Sequence, residues 1–426
     1  MNRQRFLTPR IAAFGVIIFF FVMALEVMIM ISPFAFFFYS VFSPFFNFLG
    51  QHAATRWATM FFLPHMILPP TLFLQAVRVT GSILFVVGLF TFTVCALQVY
   101  LGKIFNWGIA ARGLYKYIRH PQYLSLGIWG IGMAILWPRL IVLATLSIML
   151  VLYYFLAKDE ERRMLGQYGE SYGQYMKTSG RFLPQALERP LAPLARRLAP
   201  FNSYESLVIP VLIITLVMGT GFLLREITLS SLPLTVRGNL TLVPILPEDS
   251  RWGGDLMNGI VNGVASNTIP FIEADKNYLG YVMPPDYIMQ GMIADTGGHF
   301  HLFKKHHTLA MIVDWVFHPF EHLRRPPAAQ TAAEHQVDPK MARRHHCPVG
   351  VNRPEMECDT CTYRRVILVE IAGGQGAAMS RQQLLAIGTT RTLVGFLDLD
   401  APDGKIIKVQ RVSKETAWKD VPTPEI

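Results

Sequence analysis

Two polar stretches interrupt an otherwise apolar N-terminal half, and both carry residues able to do chemistry. The first, GLYKYIRHPQY from Gly113 to Tyr123, sets Tyr115, Tyr117 and Tyr123 beside Lys116, Arg119 and His120. The second, KDEERRMLGQYGESYGQY from Lys158 to Tyr175, opens on Asp159, Glu160 and Glu161. Brought to one surface, such groups suit a cationic, adenine-bearing cofactor. Carboxylates take ribose hydroxyls or an amino group, tyrosine rings pack on a base or face a cation, and imidazole holds a carboxylate or a polar edge. Taken singly, each stretch also reads as a membrane-boundary pattern: RHP as a helix start with an early proline, EERR as a solvated helix exit with i,i+4 partners. Their joint order favours one site.

The element that must join them is the apolar run 124–157, broken at Trp137–Arg139 by WPR. Proline resists a helix interior and arginine is costly in lipid, so the break marks the turn of a helical hairpin at the far interface, each arm somewhat short for a span. Folding the hairpin returns Asp159, Glu160 and Glu161 to Arg119, His120 and Tyr123. Other apolar runs of about 20 residues, the length a crossing helix needs, cover 11–31, 79–101 and 205–224. Glu26 reads as an interfacial carboxylate, and the proline-punctuated stretch Pro33 to Pro70 as an interfacial or re-entrant segment.

The chain is 52% hydrophobic and 16% charged, a membrane protein's balance. Its net charge of +10 lies largely in loops between apolar runs, which marks topology rather than nucleic-acid binding. Lysines and arginines concentrate in the loops 102–120 and 158–202, so both face the cytoplasm and the N-terminus lies inside. The expected fold class is an α-helical polytopic membrane protein of about five transmembrane helices, with a C-terminal soluble α+β or mainly β domain. Its parts are an N-terminal membrane segment (1–78), a membrane core (79–203), a further transmembrane helix (204–224) and the soluble domain (225–426). By parity that domain lies across a cell inner membrane, in the periplasm.

The residues Gly113, Tyr115, Arg119, His120, Pro121 and Tyr123, then a hairpin, then Glu160 and Glu161, then Gly169, Tyr172, Tyr175, Arg181 and Pro184, follow one order. In it the segment 75–190 resembles the integral-membrane methyltransferases of the isoprenylcysteine carboxyl methyltransferase and phospholipid methyltransferase group. The resemblance implies S-adenosylmethionine as methyl donor and a membrane lipid or lipidated substrate as acceptor. The candidate cofactor-binding residues are Tyr115, Arg119, His120, Tyr123, Glu160, Glu161, Tyr172 and Arg181. Glu160 and Glu161 are the candidate catalytic pair. An amine acceptor needs its proton removed by such a base, whereas a carboxylate or thiolate needs only alignment and desolvation. Ser125 departs from the pattern, standing where relatives often have glycine at the hairpin base. Two other readings are an NADPH-dependent membrane reductase, since sterol reductases carry a related RHP pattern, and a catalytically silent anchor within a larger complex.

Beyond residue 225 the composition changes to glycine, proline and short alternating runs such as LTLVPIL, RRVILVEIA and TLVGFLDLD, which read as strands. Nine of the twelve histidines fall between His299 and His346. His346, Cys347, Cys358 and Cys361 are ligand stock for zinc or another transition metal, and Cys358 and Cys361 equally for a disulfide. This domain also offers a surface for a protein partner.

Overall fold

The computed structural model describes residues 4–40, 49, 52, 54–64, 67, 69–105, 111–190, 202–283, 362–373, 376–386 and 389–412. Five long helices carry the N-terminal half: α1 (Gln4–Tyr39), α2 (Leu72–Ile104), α3 (Pro121–Leu136), α4 (Leu140–Tyr168) and, after the short α5 (Glu170–Thr178), α6 (Asn202–Ser231). Four of them contain a stretch long and apolar enough to cross a membrane. The 16-residue α3 does not, reaching about 24 Å against a hydrocarbon core of about 30 Å.

The chain divides into two compact units that do not follow sequence order. One comprises Met1–Phe42, Val87–Ile131 and Val142–Gly219; the other comprises Ser43–Val86, Gly132–Ile141 and Thr220–Ile426.

In the first unit, α1 lays Met30, Phe34 and Phe37 against its neighbours. Phe34 stacks on Trp129 of α3 with ring centres 4.3 Å apart, and Tyr153 of α4 donates to the Met30 carbonyl at 3.1 Å. α1 continues eight residues beyond the expected span, straight through Pro33. Proline has no N–H for the Ile29 carbonyl, and the Ser32 hydroxyl donates to it instead at 3.0 Å. Of the stretch Pro33 to Pro70, the first residues finish α1, and among the described residues a 3-10 turn follows at Arg56–Thr59. Glu26 is ion-paired with Lys103 of α2. Gly88 lets α2 approach α3, since a Cβ there would lie 2.5 Å from the Trp129 amide nitrogen.

The hairpin forms as its sequence suggests, turning at Trp137–Arg139. Its second arm overshoots the expected end: α4 runs to Tyr168 and carries the paired glutamates within the helix. Glutamate and arginine are good helix formers, and Asp159 adds ion pairs one turn on with Arg162 and with Arg163 at 3.1 Å. In the second unit the turn is held by backbone. Phe62 donates to the Pro138 carbonyl and Leu140 to that of Met60 at 2.8 and 2.9 Å. Arg139 is buried, its guanidinium donating to the Thr59 carbonyl and lying 4.2 Å from the Phe61 ring centre. Protein groups thus satisfy this arginine.

The second unit also holds a six-stranded sheet in the order β1 (Thr235–Arg237), β2 (Leu240–Pro244), β3 (Asn277–Met283), β4 (Tyr363–Ile371), β5 (Arg391–Asp400) and β6 (Ile406–Arg411). Every neighbouring pair is antiparallel except β2 and β3, whose parallel pairing needs the crossover helix α7 (Gly253–Ala265). Both faces are covered. Leu256, Met257 and Ile260 of α7 pack on Leu242, Tyr278, Val282 and Val366 on one side; Leu229, Leu232 and Phe61 pack with Val243, Leu279, Tyr281 and Ile367 on the other. Two-sided cover explains why β2 and β3 are buried at every residue. The strand-like runs of the sequence are β2, β4 and β5. His346, Cys347, Cys358 and Cys361 lie outside the described residues. Among the described residues no group of histidine, cysteine, aspartate and glutamate is arranged to hold a metal.

Candidate cofactor site

Both motifs lie in the first unit, and backbone pairing brings their flanks together. Ile118 bridges Gly180 in parallel, Arg119 N–H donates to the Gly180 carbonyl at 2.8 Å, and His120 N–H donates to the Arg181 carbonyl at 3.1 Å. The His120 carbonyl accepts the first bond of α3 from Leu124, with Pro121 at the first helical position, where its missing N–H costs nothing. This fixes His120 at the helix entrance with its ring turned inward and 2% exposed.

The imidazole sits between the paired glutamates. Nδ1 is 3.4 Å from Glu160 Oε2 and Nε2 is 3.5 Å from Glu161 Oε1, ion-pair distances without a directed hydrogen bond. Only a ring protonated on both nitrogens faces two carboxylates without setting a lone pair against one. Burial disfavours that charge, but the carboxylates outweigh it and hold the His120 pKa above the ordinary histidine value.

The two carboxylates differ in surroundings. Glu161, 4% exposed at its side chain, accepts from Arg119 Nε at 2.7 Å and from Arg181 through Nε at 3.2 and 3.0 Å and Nη2 at 2.8 Å. Arg119 also donates to the Met176 carbonyl at 3.1 Å and to that of Ser179. Glu160 has a side chain 35% exposed and accepts from the Tyr123 hydroxyl at 3.2 Å. One carboxylate is saturated by guanidinium groups; the other retains acceptor capacity toward the outside.

Aromatic rings complete the wall. Tyr123 stacks on His120 at 5.5 Å and on Tyr153 at 4.9 Å, and Phe182 lies 6.1 Å from the imidazole. Tyr172 is buried, and its phenol is pushed well above the usual range, first by burial and then by the Glu161 charge. Tyr115 is engaged elsewhere: its hydroxyl donates to Gln122 Oε1 and, at 3.4 Å, to the Cys95 carbonyl, while the Tyr175 hydroxyl donates to the Tyr115 carbonyl. Ser125 fits the hairpin base by donating to the Pro121 carbonyl at 2.7 Å.

The structure thus gathers Arg119, His120, Tyr123, Glu160, Glu161 and Arg181, with Tyr172 buried alongside and Tyr115 turned to Gln122. Sequence reasoning overlooked Tyr153, Gln122 and Glu188. Tyr153 was hidden in an apolar run whose i−30 partner, Tyr123, only the folded hairpin reveals.

A family comparison covers the segment that carries the hairpin and the glutamates. Residues 71–166 match the model of the isoprenylcysteine carboxyl methyltransferase family. The matched segment holds α2 from its start, the RHP motif, the hairpin and both glutamates. A protein-S-isoprenylcysteine O-methyltransferase of Schizosaccharomyces pombe is 37% identical over 68 residues. That stretch is 15% of this chain and 28% of the relative, so the chain spans less than a third of the relative's length. No solved structure matches. Within this family segment lie His120, Tyr123, Glu160 and Glu161; Tyr172, Arg181 and Glu188 follow it.

Proposed function

We propose that the chain transfers a methyl group from S-adenosylmethionine to a lipidic or membrane-embedded acceptor at the cytoplasmic face of the membrane. The observation that carries this reading is the His120 imidazole held between Glu160 and Glu161 in a segment of the isoprenylcysteine carboxyl methyltransferase family. The residues fit the donor. Glu160 keeps free acceptor capacity for hydroxyl or amino groups, the buried nitrogens of His120 lack directed partners, and Tyr123 offers a phenol beside them.

When bound, the cofactor supplies an electrophilic methyl group on a sulfonium. Glu160 is then the contact residue, and Glu161 holds Arg119 and Arg181 rather than taking a proton. With Glu161 so engaged, Glu160 is the base available for an amine acceptor, and a carboxylate acceptor needs none. The S. pombe relative's name makes a carboxyl group of an isoprenylated cysteine the first acceptor to try. In this reading the inner membrane holds the helices, and the C-terminal region lies in the periplasm with a surface for a protein partner.

Calorimetric titration of the detergent-solubilised chain with S-adenosylmethionine and with NADPH tests the reading, alongside radiolabelled methyl transfer to an S-farnesylcysteine acceptor. We expect binding of the first ligand and label transfer that disappears on His120→Ala and Glu160→Ala. Binding of NADPH alone establishes the reductase instead, and binding of neither leaves an anchor.

A further inference from the structure

Besides its backbone pairing with residues 117–120, the segment after α5 is gathered by one side chain. Glu188 reaches back over the loop and accepts three successive backbone amides: Arg181 N–H at 2.9 Å on Oε2, Phe182 N–H at 2.8 Å and Leu183 N–H at 3.0 Å on Oε1. The turn that carries Glu188 starts at Pro184, whose carbonyl accepts from Leu187 and Glu188 at 2.8 and 3.2 Å. Gly180 makes the approach possible, since a Cβ there would lie 1.8 Å from the Leu183 carbonyl oxygen and 3.0 Å from the Glu188 carboxyl group.

Two residues of this loop touch the site. The Arg181 carbonyl receives the His120 amide, the Arg181 guanidinium grips Glu161, and Phe182 lies against the imidazole. Backbone pairing ties the loop at Gly180 and at the Arg181 carbonyl, and Glu188 takes up the donors that remain, the amides of Arg181, Phe182 and Leu183.

We propose that Glu188 is a positioning residue for the cofactor site: it fixes the loop 181–183 and, through Arg181, the Glu161 carboxylate and the imidazole beside it. The proposal rests on the methyltransferase reading above and adds a residue 22 positions beyond the family segment, which ends at residue 166. Glu188 does not itself touch the imidazole or either glutamate.

The test uses the full chain in detergent, titrated with S-adenosylmethionine, with melting temperature measured on each variant. Glu188→Gln keeps the side chain's volume but turns an NH2 toward amides that need an acceptor. Glu188→Gln is expected to weaken S-adenosylmethionine binding about tenfold, charged hydrogen bonds being worth that much, with kcat at saturation within about twofold of wild type. The melting temperature should fall by only about 2–4 °C, since the amide oxygen of glutamine still accepts part of these bonds.

Arg181→Lys should give the same loss, and the double variant no more than either single one, because both act on Glu161 through one route. Unchanged affinity in Glu188→Gln, additive losses in the double variant, or loss of cooperative melting in Glu188→Gln each overturns the proposal. A wild-type chain that binds no S-adenosylmethionine instead overturns the underlying functional reading, so the two failures are distinct.

Discussion

Glu160 and Glu161 are adjacent in sequence and opposite in environment, so substitutions at the two should separate. Glu161→Gln leaves Arg119, 8% exposed at its side chain, without its carboxylate. Breaking such a buried pair costs about 3–5 kcal/mol, and a lowered denaturation midpoint should show it. Glu160→Gln removes a half-exposed charge. It should lower the melting temperature by less than Glu161→Gln does, since His120 keeps Glu161 beside it, while S-adenosylmethionine binding weakens at least about tenfold, read by calorimetry. His120 gives a pH signature. Its pKa is raised in the folded chain, so the stabilisation is complete below about 6.5 and is lost as pH climbs through the raised folded value. The melting temperature of wild type relative to His120→Gln should therefore decline as pH rises above about 6.5, and a difference that is flat or rises would refute the imidazolium. At this scale RHP and EE were legible because the side-chain types and the hairpin spacing coincide. The division of labour between the glutamates was not legible, because it depends on Arg181, whose direction is set in turn by a loop with no periodic signal.

Among the elements, the hairpin was written in the proline and arginine of WPR, and the overshoot of α4 was not. A run of charged residues reads as an exit from lipid, yet the same residues propagate a helix when their i,i+3 and i,i+4 charges alternate in sign. The passage of α1 through Pro33 was equally invisible, because the compensating group is one serine hydroxyl whose rotamer the sequence does not state. Contact between α2 and α3 depends on small residues. In the second unit, a Cβ on Gly132 would come within 2.4 Å of the Phe85 amide nitrogen, whereas Gly219 of α6 has open space around it. Gly132→Val should destabilise the chain by about 1–3 kcal/mol or more through overpacking, while Gly219→Ala should be neutral or slightly stabilising, as thermal melts in detergent can check.

For the whole molecule, composition was enough to establish a membrane protein with a strand-rich C-terminal part. Strand order was beyond reach, since the parallel β2–β3 pairing and its α7 crossover depend on which faces are covered rather than on alternation. The proposed orientation is open to labelling. With Cys347, Cys358 and Cys361 replaced, a cysteine at Lys116 should react with a membrane-impermeant maleimide only in inverted vesicles, and one at Lys405 only in intact spheroplasts. Reaction of both from one side would refute the proposed topology.

The register of β3 on β4 has a consequence for the histidine- and cysteine-rich stretch. Met283 stands opposite Arg365, so the chain leaves the sheet and rejoins it at neighbouring positions, about 5 Å apart between paired Cα atoms. In sequence, residues 284–361 are thus a cassette inserted between two strands that pair antiparallel. Closing a short loop in their place costs little in chain entropy, since that cost varies only logarithmically with length. An excised variant with a tight Asn-Gly turn should keep its melting transition and its S-adenosylmethionine affinity. If the intact protein carries stoichiometric metal by elemental analysis and the excised one carries none, the ligands reside in the cassette; metal retained after excision would place them elsewhere.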